Sequence, residues 1–348
     1  MRDSASRVSP AHPEHSGPSR AAGDFLRAQR DVALGKAVAH DENSAVITVS
    51  GPDRLIWLNS LITQEVLGLT PGHTVESLLL NPQGRVEHSF FVTDDGSTTW
   101  LLTSAERADA LEAWLRSMVF RMDVALDRPE NLMVIASAQE SLLEGLSPRV
   151  VFSDPWPRVG FGSVGYAEDV HPGHEWEMYS VVIAQEELTQ ISVPAITPDH
   201  LQGLFIAAAR PTMADVDDKT LPHELDWLRT AVHLNKGCYR GQEAVAKVHN
   251  LGHPPRRITL LHLDGSESLL PSAGDAVILG EKTVGRITRA AWHYELGPIA
   301  LAMLKRMTPI DEVLSVITGG RTVIANQEVL VPVDAGATRD IPRLGRLR

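Results

Sequence analysis

Lys236-Gly237-Cys238-Tyr239-Arg240-Gly241-Gln242-Glu243 holds the only cysteine of a 348-residue chain, set among two glycines, two cations and an acid. Glycines at 237 and 241 predict a backbone that turns tightly or lets another segment approach closely, and they flank the one side chain able to act as a soft nucleophile. Gln242 to Val248 (QEAVAKV) has the spacing of a short helix, with Val245 and Val248 on one face and Lys247 off it. A cysteine just before a helix start stands where free backbone donors and the helix dipole favour negative charge. Two readings of Cys238 stay open. One is a thiol made reactive by Lys236, Arg240 and the helix start, for persulfide, redox or cluster-transfer chemistry. The other is a small buried apolar group in a structural turn.

Its neighbours divide in the same way. Gln242 and Glu243 either orient a ligand or cap and charge the first helical turn. Lys236 and Arg240 pair with an anionic ligand tail or with acids of the chain itself. Tyr239 stacks on a planar ring or packs in the core.

Working outward, the length predicts roughly two or three domains. A composition 43% hydrophobic and 22% charged is ordinary for a globular protein. One cysteine excludes an internal disulfide and points to a reducing, cytoplasmic setting. No apolar run approaches the ~20 residues of a membrane span, and the N-terminus lacks the apolar core of a signal peptide. A net charge of −12 argues against direct nucleic-acid binding, which needs clustered Lys and Arg.

Residues 1–23, rich in Ser, Pro, His and Gly, are expected to be a disordered leader, and 334–348 a flexible tail. Order is expected from Asp24. Ala45 to Val49 reads as a strand and Asp53 to Thr63 as a helix behind Pro52. Glu76 to Leu80, Arg85 to Thr93 and Thr99 to Thr103, separated by the turns Asn81-Pro82-Gln83-Gly84 and Asp94-Asp95-Gly96-Ser97, predict an antiparallel meander. Ala105 to Met118 and Pro198 to Arg210 have helical spacing; Phe120 to Leu126, Leu132 to Ala136 and Tyr179 to Ala184 read as strands. The Pro- and Gly-dense stretch 154–173 reads as a loop. Strands and helices without strict alternation favour α+β. After a break at Gly252-His253-Pro254-Pro255, short runs at Ile258 to Leu263, Ala276 to Leu279, Thr283 to Ala290, Ile299 to Leu304 and Thr322 to Ala325 predict a small β-barrel over 256–333.

Other groupings carry less chemistry. Asp169, His171, His174 and Glu175 look metal-like, but Pro172 and Gly173 between the histidines deny them a common helix face. No catalytic triad, dinucleotide loop or phosphate loop is present. The acid-rich Asp215-Val216-Asp217-Asp218-Lys219-Thr220-Leu221-Pro222-His223-Glu224 is either ligand-coordinating or a solvated turn.

The octad K-G-C-Y-x-G-Q-E resembles the signature of the YgfZ family, folate-binding proteins similar in fold to the glycine-cleavage aminomethyltransferase, T-protein. The Thr220-x-Pro222-x-Glu224 segment upstream and the Asn81-to-Arg85 turn are also similar, and the resemblance covers about residues 24–333. It implies an α+β body over 24–255, made of two intertwined domains around a tetrahydrofolate channel, followed by the barrel. It further implies tetrahydrofolate or a derivative as cofactor, with Tyr239, Gln242, Glu224 and Arg210 as contacts and Cys238 as the functional thiol. The function implied is assistance to iron-sulfur cluster synthesis or repair in client enzymes, with indirect effects on tRNA modification, iron-sulfur client or assembly proteins as partners and no classical turnover. Three departures stand out. His88 and Ser89 occupy the place of T-protein's acidic pair, Ala207 that of a pterin-holding Glu, and Ser44 that of a folate-associated aromatic. The alternatives are a tetrahydrofolate-dependent one-carbon transferase, which the missing acidic pair disfavours, and a scaffold that binds proteins alone.

Overall fold

The computed structural model describes residues 20–143, 146–167, 170–191, 193–266 and 268–337. Most of the expected leader, most of the expected tail and Asp169 lie outside the described residues. The chain begins with α1 (Arg20–Ala33), β1 (Val38–His40), β2 (Ser44–Ser50) and α2 (Arg54–Leu61). The meander β3 (Thr74–Leu80), β4 (Val86–Asp94) and β5 (Thr98–Ser104) leads into α3 (Ala105–Ser117) and the short β6 (Ala125–Asp127). Next come β7 (Leu132–Ser137), β8 (Val150–Ser153), β9 (Tyr179–Ala184) and β10 (Ala195–Ile196), then α4 (Gln202–Ala207) and α5 (Gln242–Leu251). Six strands follow: β11 (Arg256–Leu263), β12 (Ala276–Leu279), β13 (Lys282–His293), β14 (Gly297–Lys305), β15 (Leu314–Thr318) and β16 (Arg321–Val329).

Pairing divides these strands among two open sheets and a barrel. One five-stranded sheet runs β3-β4-β5-β2-β6 and the other β10-β1-β7-β9-β8, while β11 to β16 close into a barrel. β1 precedes the whole first sheet in sequence yet pairs with β7 and β10 of the second. The chain therefore starts the second sheet, leaves it to build the first and returns, which is what makes the α+β body intertwined.

Periodicity explains how the sheets stack. In β4, Val86, His88 and Phe90 are buried while Glu87, Ser89 and Phe91 are half-buried, the alternation expected of a strand with two unlike faces. Phe90 joins Ile47, Leu58, Ile62, Leu79, Leu101, Leu111 and Leu115 beneath α2 and α3. Those seven aliphatic side chains are withdrawn from water, each contributing roughly 1.5–3 kcal/mol. On the other face, Val46 and Leu102 of the first sheet meet Val134, Val150, Phe152 and Val182 of the second.

The body and the barrel share a core. Leu80, Trp227, Tyr239 and Val245 pack in one cluster with Ile258, Leu260, Ile299 and Leu301. Acids reinforce that junction. Arg256 of β11 donates to both carboxylate oxygens of Asp217, at 2.7 and 3.0 Å, and to both of Glu224, at 2.9 and 2.8 Å. Asp215 accepts from Thr288 at 2.6 Å and pairs with Arg289 at 2.8 Å. The acid-rich 215–224 segment is thus the clasp between body and barrel, and neither an open turn nor a ligand cage.

Several expected boundaries shift. α1 begins at Arg20, inside the stretch assigned to the leader. Gln29 of that helix donates to the carbonyls of His200 and Trp292 and accepts from the Tyr294 N–H, so long-range bonds order it. The helix expected over Pro198 to Arg210 is a 3-10 turn, Pro198–Leu201, followed by a short α4. It stops because Ala209 is left-handed at φ +50°, with Trp156 Nε1 donating to the Ala208 carbonyl at 2.9 Å. Of the strand expected over Phe120 to Leu126 only Ala125 and Leu126 are extended, as part of β6, and β15, not expected from the sequence, completes the barrel.

Candidate functional site

Cys238 is exposed on the loop before α5, which excludes the reading of it as a buried apolar group. The loop is built by contact with the β3–β4 turn. A Cβ at Gly241, where φ is +85°, would stand 2.6 Å from the Asn81 carbonyl oxygen, and one at Gly84, where φ is +75°, would stand 2.7 Å from Ala244 Cβ. Only glycine meets both the backbone conformation and the approach. The Asn81-to-Arg85 turn and the octad are two halves of one contact. Gly237 has open space around it, so sterics do not demand glycine there.

Beneath the thiol, Lys236 is only 7% exposed. Its ammonium donates to the carbonyls of Asn59 at 2.8 Å, Ile62 at 2.8 Å and Gln64 at 2.7 Å, and lies 3.2 Å from Asn59 Oδ1. These oxygens belong to the last turn of α2 and the segment after it, where carbonyls lack intrahelical partners and the dipole is negative. Burial pulls the Lys236 pKa down to about 8, opposed in part by Glu65. The same ammonium lies 5.6 Å from the centroid of the Tyr239 ring, which is buried in the shared core. Arg240 donates to Glu87 at 2.8 Å and lies over Trp114. Both cations expected to activate the thiol therefore have other partners. Gln242 donates back to the Lys236 and Gly237 carbonyls at 3.3 and 3.4 Å, closing the loop, and Glu243 stands exposed in the first turn of α5.

A cavity of about 480 Å³ opens between the two sheets under α4, lined by Ser89 and Phe91 of β4, Leu102, Phe152, Met178, Phe205 and several polar groups. Its size, with Phe91, Leu102, Phe152 and Phe205 set among polar and charged groups, is that of a small-molecule site. One wall carries a buried charge cluster. Arg210 donates to Glu76 at 2.8 Å and to Asp154 at 2.9 Å. Glu76 also accepts from Trp227 Nε1 at 3.0 Å and from the Thr230 hydroxyl. Burial pushes the Glu76 carboxyl up, and the Arg210 guanidinium opposes it. Burial alone would lower Arg210, but Asp154 and Glu76 hold it above its ordinary value.

Three lining charges make no ion pair among the described residues: Arg107, Asp41 and the exposed Glu106. Arg107 is half-buried at the start of α3, and among the described residues Asp41 accepts only from the Ser44 hydroxyl at 2.6 Å and the Asn43 N–H at 3.2 Å. Burial raises the Asp41 carboxyl, with Ser44 and Asn43 acting against the shift. Behind the wall, His88 is buried with Nδ1 unpartnered, and burial together with Arg107 lowers its pKa to about 4.

Of the residues expected at the ligand, the structure brings Arg210 to the cavity and holds Tyr239, Gln242 and Glu224 elsewhere. Glu224 is buried between Arg256 and the Leu221 N–H. Ala207 is not among the lining residues; Phe205, Gln202, Ser89 and Ser44 are. Glu76, Asp154, Asp41 and Arg107 were not singled out by the sequence, although one signal for Glu76 existed: it is an acid inside the otherwise apolar Thr74–Leu80 strand. In the former metal-like group, His171 is buried beside Trp156 and Asp226, while His174 and Glu175 are exposed.

The fold is that of the aminomethyltransferases: glycine cleavage system aminomethyltransferase T from Bartonella henselae superposes with a TM-score of 0.70 over 90% of both chains, at 15% identity. No family model matches the sequence. The tRNA-modifying protein YgfZ of Edwardsiella ictaluri is 26% identical over 79% of this chain and 86% of its own length. The mitochondrial iron-sulfur cluster assembly factor IBA57 homolog of Mycosarcoma maydis is 24% identical over 62% of this chain, a match spanning about half, 54%, of that protein. With the intact octad, the assignment these similarities support is a YgfZ-family, T-protein-like protein.

Proposed function

We propose that this chain is a folate-binding accessory protein that assists the synthesis or repair of iron-sulfur clusters in client enzymes and affects tRNA modification through those clients. The observation that carries the proposal is the exposed Cys238, the only thiol of the chain, displayed on an octad anchored to an aminomethyltransferase-type body. Relatives named as an iron-sulfur cluster assembly factor and a tRNA-modifying protein support it.

The cavity fits a reduced folate. The Asp41 carboxylate, which makes no ion pair among the described residues, is suited to the amino and N–H donors on a pterin edge. Arg107, which makes no ion pair among the described residues, is suited to an anionic tail, with Phe91 and Phe205 as aromatic walls. Tetrahydrofolate carries one-carbon units when bound. This chain's own part is to orient the ring and exclude water, while Arg210, already held by two carboxylates, shapes the wall. His88 and Ser89 leave that wall without T-protein's acidic pair, which disfavours the transferase alternative. A single thiol cannot supply the four ligands of an ordinary iron-sulfur cluster, so any cluster contact is shared with a client. With its net charge of −12 the chain has no need to grip tRNA. No helix among the described residues is long and apolar enough to cross a membrane; it is the single cysteine that favours a reducing, cytoplasmic setting.

Thermal unfolding with tetrahydrofolate tests the ligand: at a hundredfold excess over Kd the folded state gains about 2.7 kcal/mol. An unchanged melting temperature at millimolar ligand removes folate from the account. An assay for tetrahydrofolate-dependent demethylation separates the accessory role, which predicts no turnover, from a transferase.

A further inference from the structure

The cavity wall and the thiol loop are joined by an unbroken run of buried polar contacts. Arg210 and Glu76 line the cavity. The Glu76 carboxylate accepts from the Thr230 hydroxyl, and the Thr230 carbonyl accepts from Gln64 Nε2 at 2.6 Å. The Gln64 carbonyl in turn accepts from Lys236 Nζ at 2.7 Å, two residues before Cys238. Glu76, Thr230, Gln64 and Lys236 are all buried, so water does not interrupt the run.

Segments flanking the run are also fixed. Thr63 Oγ1 donates to the Ala231 carbonyl at 2.6 Å, the His233 N–H donates to the Thr63 carbonyl at 3.0 Å, and the Gln64 N–H donates to Ser77 Oγ at 3.0 Å. A displacement of Glu76 has few ways to be absorbed before it reaches Lys236, because a buried polar group that loses its partner is left with its desolvation uncompensated. Lys236 has spent its three N–H donors on carbonyls.

The geometry points to Lys236 as a positioning residue that fixes the reach of Cys238, and to the Glu76-Thr230-Gln64-Lys236 run as the route by which occupancy of the cavity alters that reach. The second half rests on the folate reading above. A ligand acts through the run by contacting Glu76 or Arg210 differently in the two settings of the loop, as any coupling between sites requires.

The test is the rate at which iodoacetamide, an uncharged reagent, alkylates Cys238 in the full chain, followed across pH with and without saturating tetrahydrofolate under anaerobic conditions. In the wild type the ligand changes the plateau rate by about fivefold or more. Gln64→Leu cuts the bond to Thr230 and keeps the carbonyl that holds Lys236; it binds the ligand by calorimetry but loses the rate response. Lys236→Met changes the plateau rate several-fold and leaves the pH of half-maximal rate where it is in the wild type. Lys236→Arg, which keeps the charge, shows the same plateau change because a planar fork does not match three converging carbonyls; it also serves if the Met variant fails to fold.

The route is overturned if the wild-type rate is equal with and without bound ligand, or if Gln64→Leu responds fully. The positioning role is overturned if Lys236→Met raises the half-maximal pH at an unchanged plateau while Lys236→Arg behaves as wild type, the pattern of an activating cation. Failure of tetrahydrofolate to bind at all removes the folate reading, and the ligand-free pH profiles still decide the role of Lys236.

Discussion

Arg210 in the cavity wall and Lys236 under the thiol loop are both buried cations, and they are compensated in different ways. Arg210 lies between two carboxylates, Glu76 and Asp154, and over the faces of Phe91 and Trp156. Lys236 has no carboxylate within ion-pair distance among the described residues; its partners are the free carbonyls after α2. The carboxylates hold Arg210 above its ordinary pKa, whereas burial takes Lys236 down to about 8. The cavity wall thus carries a closed charge cluster, and the loop is held by carbonyl dipoles. Conserving charge at the second site without its geometry should fail, and removing one charge at the first should leave two others stranded.

The largest expected effect comes from breaking the cluster. Arg210→Leu leaves Glu76 and Asp154 uncompensated, and urea unfolding should show a loss of about 3–5 kcal/mol. A loss below about 1 kcal/mol would mean that the wall tolerates unpaired acid there, contrary to its burial.

Gly241→Ala attacks the other region. It strains a left-handed backbone and drives a Cβ toward the Asn81 carbonyl, so it should cost about 1–3 kcal/mol and displace the thiol loop. Gly237→Ala, with open space around it, is the control and should be close to neutral by the same measurement.

Acid sharpens the comparison through two buried histidines, His88 behind the cavity wall and His223 against the Val245 carbonyl of α5. His88 has a folded pKa of about 4 and His223 one of about 3, in both cases chiefly from burial, against 6.5 for an unperturbed group. Between those limits the unfolded chain binds protons that the folded one refuses. Their contribution is therefore fully present above pH 6.5 and is lost as pH falls to about 4 for His88 and about 3 for His223. Melting temperatures recorded from pH 7 to pH 4 should fall, and His88→Gln should flatten the decline. Asp226, raised to about 6 by burial, works in the opposite sense, so a curve insensitive to His88→Gln would show that the histidine is open to water.

Much of the fold was legible because local pattern and tertiary environment agree. β9 forms over Tyr179–Ala184 and β12 over Ala276–Leu279 as their apolar runs predict, and the alternation along β4 separates its core face from its cavity face. β15 was not legible: five residues after a polar approach carry too little signal, and barrel closure by β12 and β16 makes them a strand. The helix expected over Pro198 to Arg210 was overridden by Trp156, which ties down Ala208 and turns the chain so that Arg210 reaches Glu76. In the site, the octad was visible and its anchoring was not. Lys236 meets oxygens more than 170 residues earlier in the chain, and Glu76 meets Arg210, Trp227 and Thr230 at separations of 134 to 154 residues. No spacing rule reaches that far.

Substituting the thiol itself should alter stability least, within about 0.5 kcal/mol, because Cys238 is exposed. Its effect on function should be the greatest. The direct measurement is the activity of iron-sulfur enzymes in cells that lack this protein, complemented with the wild-type chain or with Cys238→Ala at equal abundance. The wild type should restore activity and the alanine variant should leave it low; full restoration by Cys238→Ala would remove the thiol from the proposed role.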